Sequence, residues 1–134
     1  MKKILTTLFI AFVLFACSVA QPTESPTAVP QPEVSDPAKV LEAGAGSEFN
    51  LVLDSSPTTG YHWEIVGELD AGIVEFISKD YSASQPVTVG SGGVDIFTFK
   101  ALGAGEARIT LGYYPPSNDP VEPQQIVTFT VTVK

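Results

Sequence analysis

The 134-residue chain carries 15 acidic and seven basic side chains, one histidine and one cysteine, for a net charge of −8 at neutral pH. That balance disfavours a nucleic-acid partner, because such binding neutralises phosphates with Lys and Arg. One cysteine excludes an internal disulfide, and one histidine leaves no second imidazole for a metal site of the usual kind.

The N-terminus reads as an export signal. Lys2 and Lys3 precede a mostly apolar run from Ile4 to Ala16, the order of parts in a secretory leader. The run is shorter than the roughly 20 apolar residues of a membrane-crossing helix, so cleavage is expected. Two cleavage modes compete. Leu14 to Cys17, "LFAC", resembles a bacterial lipobox, in which the cysteine is lipidated and the bond before it is cut, although Phe15 is unusual at its position. Ser18 and Ala20 would instead serve a conventional small-x-small site. The solitary Cys17 is better explained as a lipid attachment point than as a structural thiol.

A stretch rich in Pro, Ser, Thr and Gln follows, up to Pro37. It has almost nothing to bury and cannot repay its ordering entropy, so it reads as a tether stiffened by proline. The expected organisation is a signal peptide over 1–16 with lipidation at Cys17, a linker over 17–37 and one domain over 38–134. Loss of Lys2 and Lys3 leaves five basic residues against 15 acidic ones, a net charge of −10 for the exported part.

Within the domain, apolar residues alternate with polar ones, the period of a half-buried strand. Phe49, Leu51 and Leu53 share a face, as do Tyr61, Trp63 and Ile65. The same pattern sets Phe97, Phe99 and Ala101 inward, then Ala107, Ile109, Leu111 and Tyr113, and finally Val127, Phe129, Val131 and Val133 against a row of threonines. Gly and Pro clusters punctuate these runs. Short alternating strands between turns predict an all-β fold, an immunoglobulin-like antiparallel β-sandwich. With no disulfide between the sheets, the rings of Phe49, Trp63, Phe76, Phe97, Phe99 and Phe129 must supply much of the core.

No catalytic set emerges. His62 lies between Tyr61 and Trp63 and points to the opposite, solvated face, so no serine or cysteine has a base beside it. The scattered carboxylates read as solvating surface charges. "GSGG", Gly90 to Gly93, runs into a strand and lacks the lysine and helix of a phosphate loop. The chain is therefore read as a non-enzyme with no cofactor and no bound metal, and its function is expected in the loops.

Two of those loops carry a family pattern. "SPTTG" (Ser56, Pro57, Thr58, Thr59, Gly60) runs into the aromatic "GYHW", and "GSGG" (Gly90, Ser91, Gly92, Gly93) follows a "KDY" stretch from Lys79 to Tyr81. In this order, over the whole domain, they resemble the chagasin-type inhibitors of papain-like cysteine peptidases. That family carries N-P-T-T-G, G-x-G-G and R-P-W or R-P-F in three loops at one end of an immunoglobulin-like fold. Ser56 replaces the asparagine of the first motif, and the second matches in full. The third departs: Pro116 stands where the family proline does, but Pro115 replaces the arginine and Ser117 the aromatic. A ring from the adjacent Tyr114, or a lower affinity, are the two readings of that loop, taken here as Tyr114, Pro115 and Pro116.

The resemblance implies a reversible inhibitor whose Thr58 tip wedges into the peptidase cleft while the other loops clasp its sides. The physical case for the first loop is independent of it. Pro57 fixes its own φ and biases Ser56 away from helix, Gly60 can take a positive φ, and Thr58 and Thr59 form a small, stiff tip. The expected partner is a papain-like cysteine peptidase, bound by a monomer that touches membrane only through a lipid on Cys17. The expected location is the cell surface or periplasm, otherwise free secretion. The alternative is a lipid-anchored immunoglobulin-like adhesion or carbohydrate-binding module, with Tyr81, Tyr114 and His62 as its glycan platform.

Overall fold

The computed structural model describes residues 31–134. The expected signal peptide, the lipidation at Cys17 and most of the linker lie outside the described residues. Seven strands follow in order: β1 Leu41–Ala43, β2 Glu48–Ser55, β3 His62–Ile65, β4 Val74–Ala83, β5 Gly93–Ala101, β6 Gly105–Tyr114 and β7 Gln125–Val133. They form two sheets, β1-β7-β6-β3 and β2-β5-β4, packed as the expected immunoglobulin-like sandwich. All neighbours pair antiparallel except β1 with β7, which is a parallel edge.

The period-2 pattern accounts for the core. Leu51, Leu53, Phe97, Phe99, Ala107, Ile109, Leu111, Phe129 and Val131 are buried, every second residue of their strands. Burying a Val, Leu, Ile or Phe side chain stabilises by about 1.5–3 kcal/mol. Phe49 is only half-buried but stacks on Phe99, with centroids 5.6 Å apart. Phe76, expected among the core rings, is 39% exposed. It sits on β4, the sheet's edge, and offers only one side to Phe97 and Phe99. Tyr61 is likewise half-buried, stacked on Tyr113 at 5.2 Å, while Trp63 is fully enclosed.

Alternation alone does not reveal β1 and β4. The first is three residues long, and the register of the second slips between Phe76 and Ser78, where a bulge breaks the two-residue period. The outer edge of β2 is also capped at Val52. The Ser35 N–H donates to the Val52 carbonyl (2.8 Å) and its Oγ accepts from the Val52 N–H (2.9 Å), one rung of a ladder built by a residue of the proline-rich stretch. Capping an open edge in this way removes a template for pairing with other chains.

Two polar ties join the sheets where a disulfide is absent. Trp63 on β3 donates its indole N–H to the Asp54 carbonyl of β2 at 2.9 Å. Lys79 on β4 places Nζ 2.9 Å from the Trp63 carbonyl, 3.2 Å from Asp95 Oδ2 and 5.2 Å from the centre of the Phe97 ring. Asp95 faces inward in line with Phe97 and Phe99, with its side chain 8% exposed, so this carboxylate is a buried structural charge and not a solvating one. Burial of such a carboxylate demands a cation and hydrogen bonds, and Lys79 meets that demand.

Candidate functional site

Strand register places the three loops together. Ser55 at the end of β2 and Ala83 at the end of β4 both pair with Gly93, the first residue of β5. In the other sheet His62, which opens β3, pairs with Tyr114, which ends β6, and Tyr113 pairs with Gln125 at the start of β7. The connections 56–61, 84–92 and 115–124 therefore leave the same end of the sandwich, with the first crossing from one sheet to the other.

The first loop is a single 3-10 turn over Pro57–Thr59. The Thr59 N–H donates to the Ser56 carbonyl at 3.0 Å and the Gly60 N–H to the Pro57 carbonyl at 3.1 Å. Ser56 has φ −131° and ψ 74°, outside the helical region as proline at the next position requires, and Gly60 closes the turn at φ 79°. Thr59 turns its hydroxyl back onto the Ser56 carbonyl (2.6 Å). Pro57, Thr58, Thr59 and Gly60 are all exposed, and among the described residues the Thr58 side chain takes no part in this internal network, which leaves it as the free tip.

The second loop is closed at its base by the Ser84 N–H on the Gly92 carbonyl (3.0 Å). Ser91 braces its apex, donating its hydroxyl to the Thr88 carbonyl at 2.8 Å and accepting from the Thr88 N–H at 3.2 Å. Gly90 turns the chain at φ 80°. Gly92 and Gly93 lie against this chain's own neighbours. A Cβ on Gly92 would lie 3.0 Å from the Ser55 carbonyl oxygen, and one on Gly93 would lie 2.6 Å from Tyr81 Oη. Val87 and Val89 stand exposed at the apex. Strand alternation does not mark them, although two valines inside a turn-rich stretch are a signal for them.

The third loop begins from a firm base, with the Gln124 N–H on the Tyr113 carbonyl at 2.8 Å. Pro116 is exposed and packs against the first loop. It fills the space beside Gly60, where an added Cβ would come within 2.8 Å of the Pro116 Cβ. Ser117 Oγ accepts the Asp119 N–H at 3.1 Å. The three loops thus form one contiguous edge, second against first through Gly92 and Ser56, first against third through Gly60 and Pro116.

His62 faces outward as expected. Its Nε2 pairs with Glu64 Oε1 at 2.9 Å and its ring stacks on Tyr114, with centroids 6.1 Å apart. The rings proposed for a glycan platform do not share a surface: His62 and Tyr114 lie on the β1-β7-β6-β3 sheet and Tyr81 on the β2-β5-β4 sheet, over Gly93.

A family model described as chagasin family peptidase inhibitor matches residues 42–133. The chain belongs to the chagasin family of peptidase inhibitors. Its members are inhibitors and not enzymes. This chagasin-family chain is similar to the solved cysteine protease inhibitor EhICP2 from Entamoeba histolytica, at 24% identity and a TM-score of 0.58 over 71% of this chain and 86% of that one. It is similar to amebosin at 26% identity and a TM-score of 0.56, over 72% and 90% of the two chains. PbICP-C, solved in complex with falcipain-2, is 16% identical with a TM-score of 0.48, over 78% and 96%. No curated protein matches the sequence.

Proposed function

We propose that this chagasin-family chain is a reversible inhibitor of papain-like cysteine peptidases that closes the active-site cleft with the edge formed by the loops 56–61, 84–92 and 115–124. The observation that carries the reading is their contiguity: Gly92 against Ser56 and Gly60 against Pro116 order three loops side by side before any partner arrives. A preordered edge loses little conformational entropy on binding, so more of the contact energy appears as affinity.

Thr58 is the group that enters the cleft. It is small, β-branched and held on a turn in which the Thr59 and Gly60 N–H groups are tied to the Ser56 and Pro57 carbonyls. That turn would also disfavour cleavage. A peptidase that binds substrate as an extended strand pairs with its free backbone groups, whereas residues 57–59 are coiled in a 3-10 turn that ties the Thr59 and Gly60 N–H groups to the Ser56 and Pro57 carbonyls. Gly90 to Gly93 with Val87 and Val89 would clasp one side of the cleft, and the 115–124 side the other. Export follows from Lys2, Lys3 and the apolar run, and attachment to a membrane from a lipid on Cys17, with free secretion as the remaining route.

Titration of papain and of a cathepsin L-type enzyme with the purified protein tests the reading. Stoichiometric loss of activity, recovered on dilution, is expected. Full peptidase activity at micromolar inhibitor would overturn it.

A further inference from the structure

The third loop lacks the arginine and the aromatic that its family carries, yet the structure does not leave that side of the edge without rings. Pro116 packs against Gly60 and Ser117 Oγ accepts the Asp119 N–H, and the loop 115–124 contains no aromatic ring of its own. Beside it, the ends of two strands present a pair. His62 and Tyr114 are directly opposite in the β3–β6 register and face outward, since Trp63 and Tyr113 between them and the core face inward. Their rings stack at 6.1 Å and 25°.

The pair is held from two sides. Glu64 binds His62 Nε2 at 2.9 Å, and Nδ1 lies 3.4 Å from the Gly60 carbonyl, which ties the ring to the base of the first loop. A shallow groove of about 220 Å³ runs between this pair and Pro115, Ser117 and Asp119. The three loops contain no Lys or Arg, so no cation of the family's kind is available from them.

We propose that His62 and Tyr114 together form the third contact of the inhibitory edge, in place of the loop tip, and determine which peptidases bind. The inference rests on the inhibitor reading above. Rings with two side-chain torsions, already stacked, bring a large rigid area at low entropic cost. The matching surface on the peptidase is an exposed aromatic or aliphatic patch on the rim of the cleft, into which the paired rings pack flat. His62 can be read from the sequence as a ring beside the first loop, but only the β3–β6 register brings it against Tyr114.

Inhibition constants against papain and a cathepsin L-type enzyme, with thermal melts of each variant, test this. His62→Ala and Tyr114→Ala are each expected to weaken inhibition of at least one enzyme by about thirtyfold, the mark of an aromatic anchor. His62→Phe and Tyr114→Phe keep the stack and should stay within about threefold of the parent. The double variant Pro115→Ala, Ser117→Ala should change little. If the alanine variants inhibit both enzymes as well as the parent while Thr58→Arg abolishes inhibition, the ring-pair contact is wrong and the inhibitor reading stands. If the parent protein inhibits neither enzyme, both fall together. Should an alanine variant fail to fold, hydrogen exchange of the parent with and without papain decides: slowed exchange at residues 62–64 and 112–115 supports the contact, and unchanged exchange there overturns it.

Discussion

Gly60 and Pro116 touch across the gap between two loops, with room for a hydrogen but not for a methyl: a Cβ on Gly60 would lie 2.8 Å from the Pro116 Cβ. Gly60 is also held at φ 79°, a region that costs an L-residue about 1–2 kcal/mol. Gly60→Ala is therefore expected to lower stability by about 1–2 kcal/mol in urea unfolding. It should weaken peptidase inhibition by more than that loss explains, because it moves the first loop away from the third. An unchanged melt and unchanged inhibition would show that the contact is incidental.

Thr58 and Thr59 are neighbours with different duties. Thr58→Arg should abolish inhibition and leave the melt where it was, since the side chain is exposed and outside the turn's own hydrogen bonds. Thr59→Ala removes the hydroxyl bound to the Ser56 carbonyl and should cost about 0.5–1.5 kcal/mol of stability. Paired melts and inhibition assays separate the two, and a larger melt shift for Thr58→Arg would contradict the assignment.

The pair formed by Lys79 and Asp95 should respond asymmetrically. Lys79→Met strands a carboxylate that is 8% exposed, at a cost of about 3 kcal/mol or more. Asp95→Asn leaves an ammonium that is 33% exposed and still bound to the Trp63 carbonyl, and about 1 kcal/mol is expected. Equal losses in denaturant titrations would mean that Asp95 finds another donor.

Two phenylalanines on adjacent strands test the core boundary. Phe99→Ala empties a fully buried site and should cost about 3–5 kcal/mol. Phe76→Ala, at a position 39% exposed, should cost well under half of that. Similar losses would return Phe76 to the core.

Export and lipidation are open to a direct measurement on the native protein. Cys17→Ser should move the protein from the membrane fraction to the soluble one, and mass spectrometry of the mature N-terminus should find a lipidated Cys17. A mature chain beginning after Ala20 would instead select ordinary secretion.

Much of the sandwich was legible residue by residue. Alternation named the inward faces of β2, β5, β6 and β7 because a strand buried on one side has no other way to write its sequence. The same rule failed at Phe76, because period 2 tells which face a residue is on but not how close its strand lies to the sheet's edge. It also missed β4, where the bulge after Phe76 breaks the period, and it could not show that Asp95 is buried, since its cation comes from a different strand.

Local chemistry in the sequence was enough to settle the shape of the first loop, with proline and glycine placed where one turn needs them, and to suggest the family from the order of its motifs. What only the tertiary structure decided is how the loops meet. Gly92 against Ser56, Gly60 against Pro116 and His62 against Tyr114 join residues far apart in the chain, through strand register and sheet packing that no local pattern encodes. Those contacts turn three separate turns into a single edge, because close packing between loops fixes positions that each loop alone would leave free.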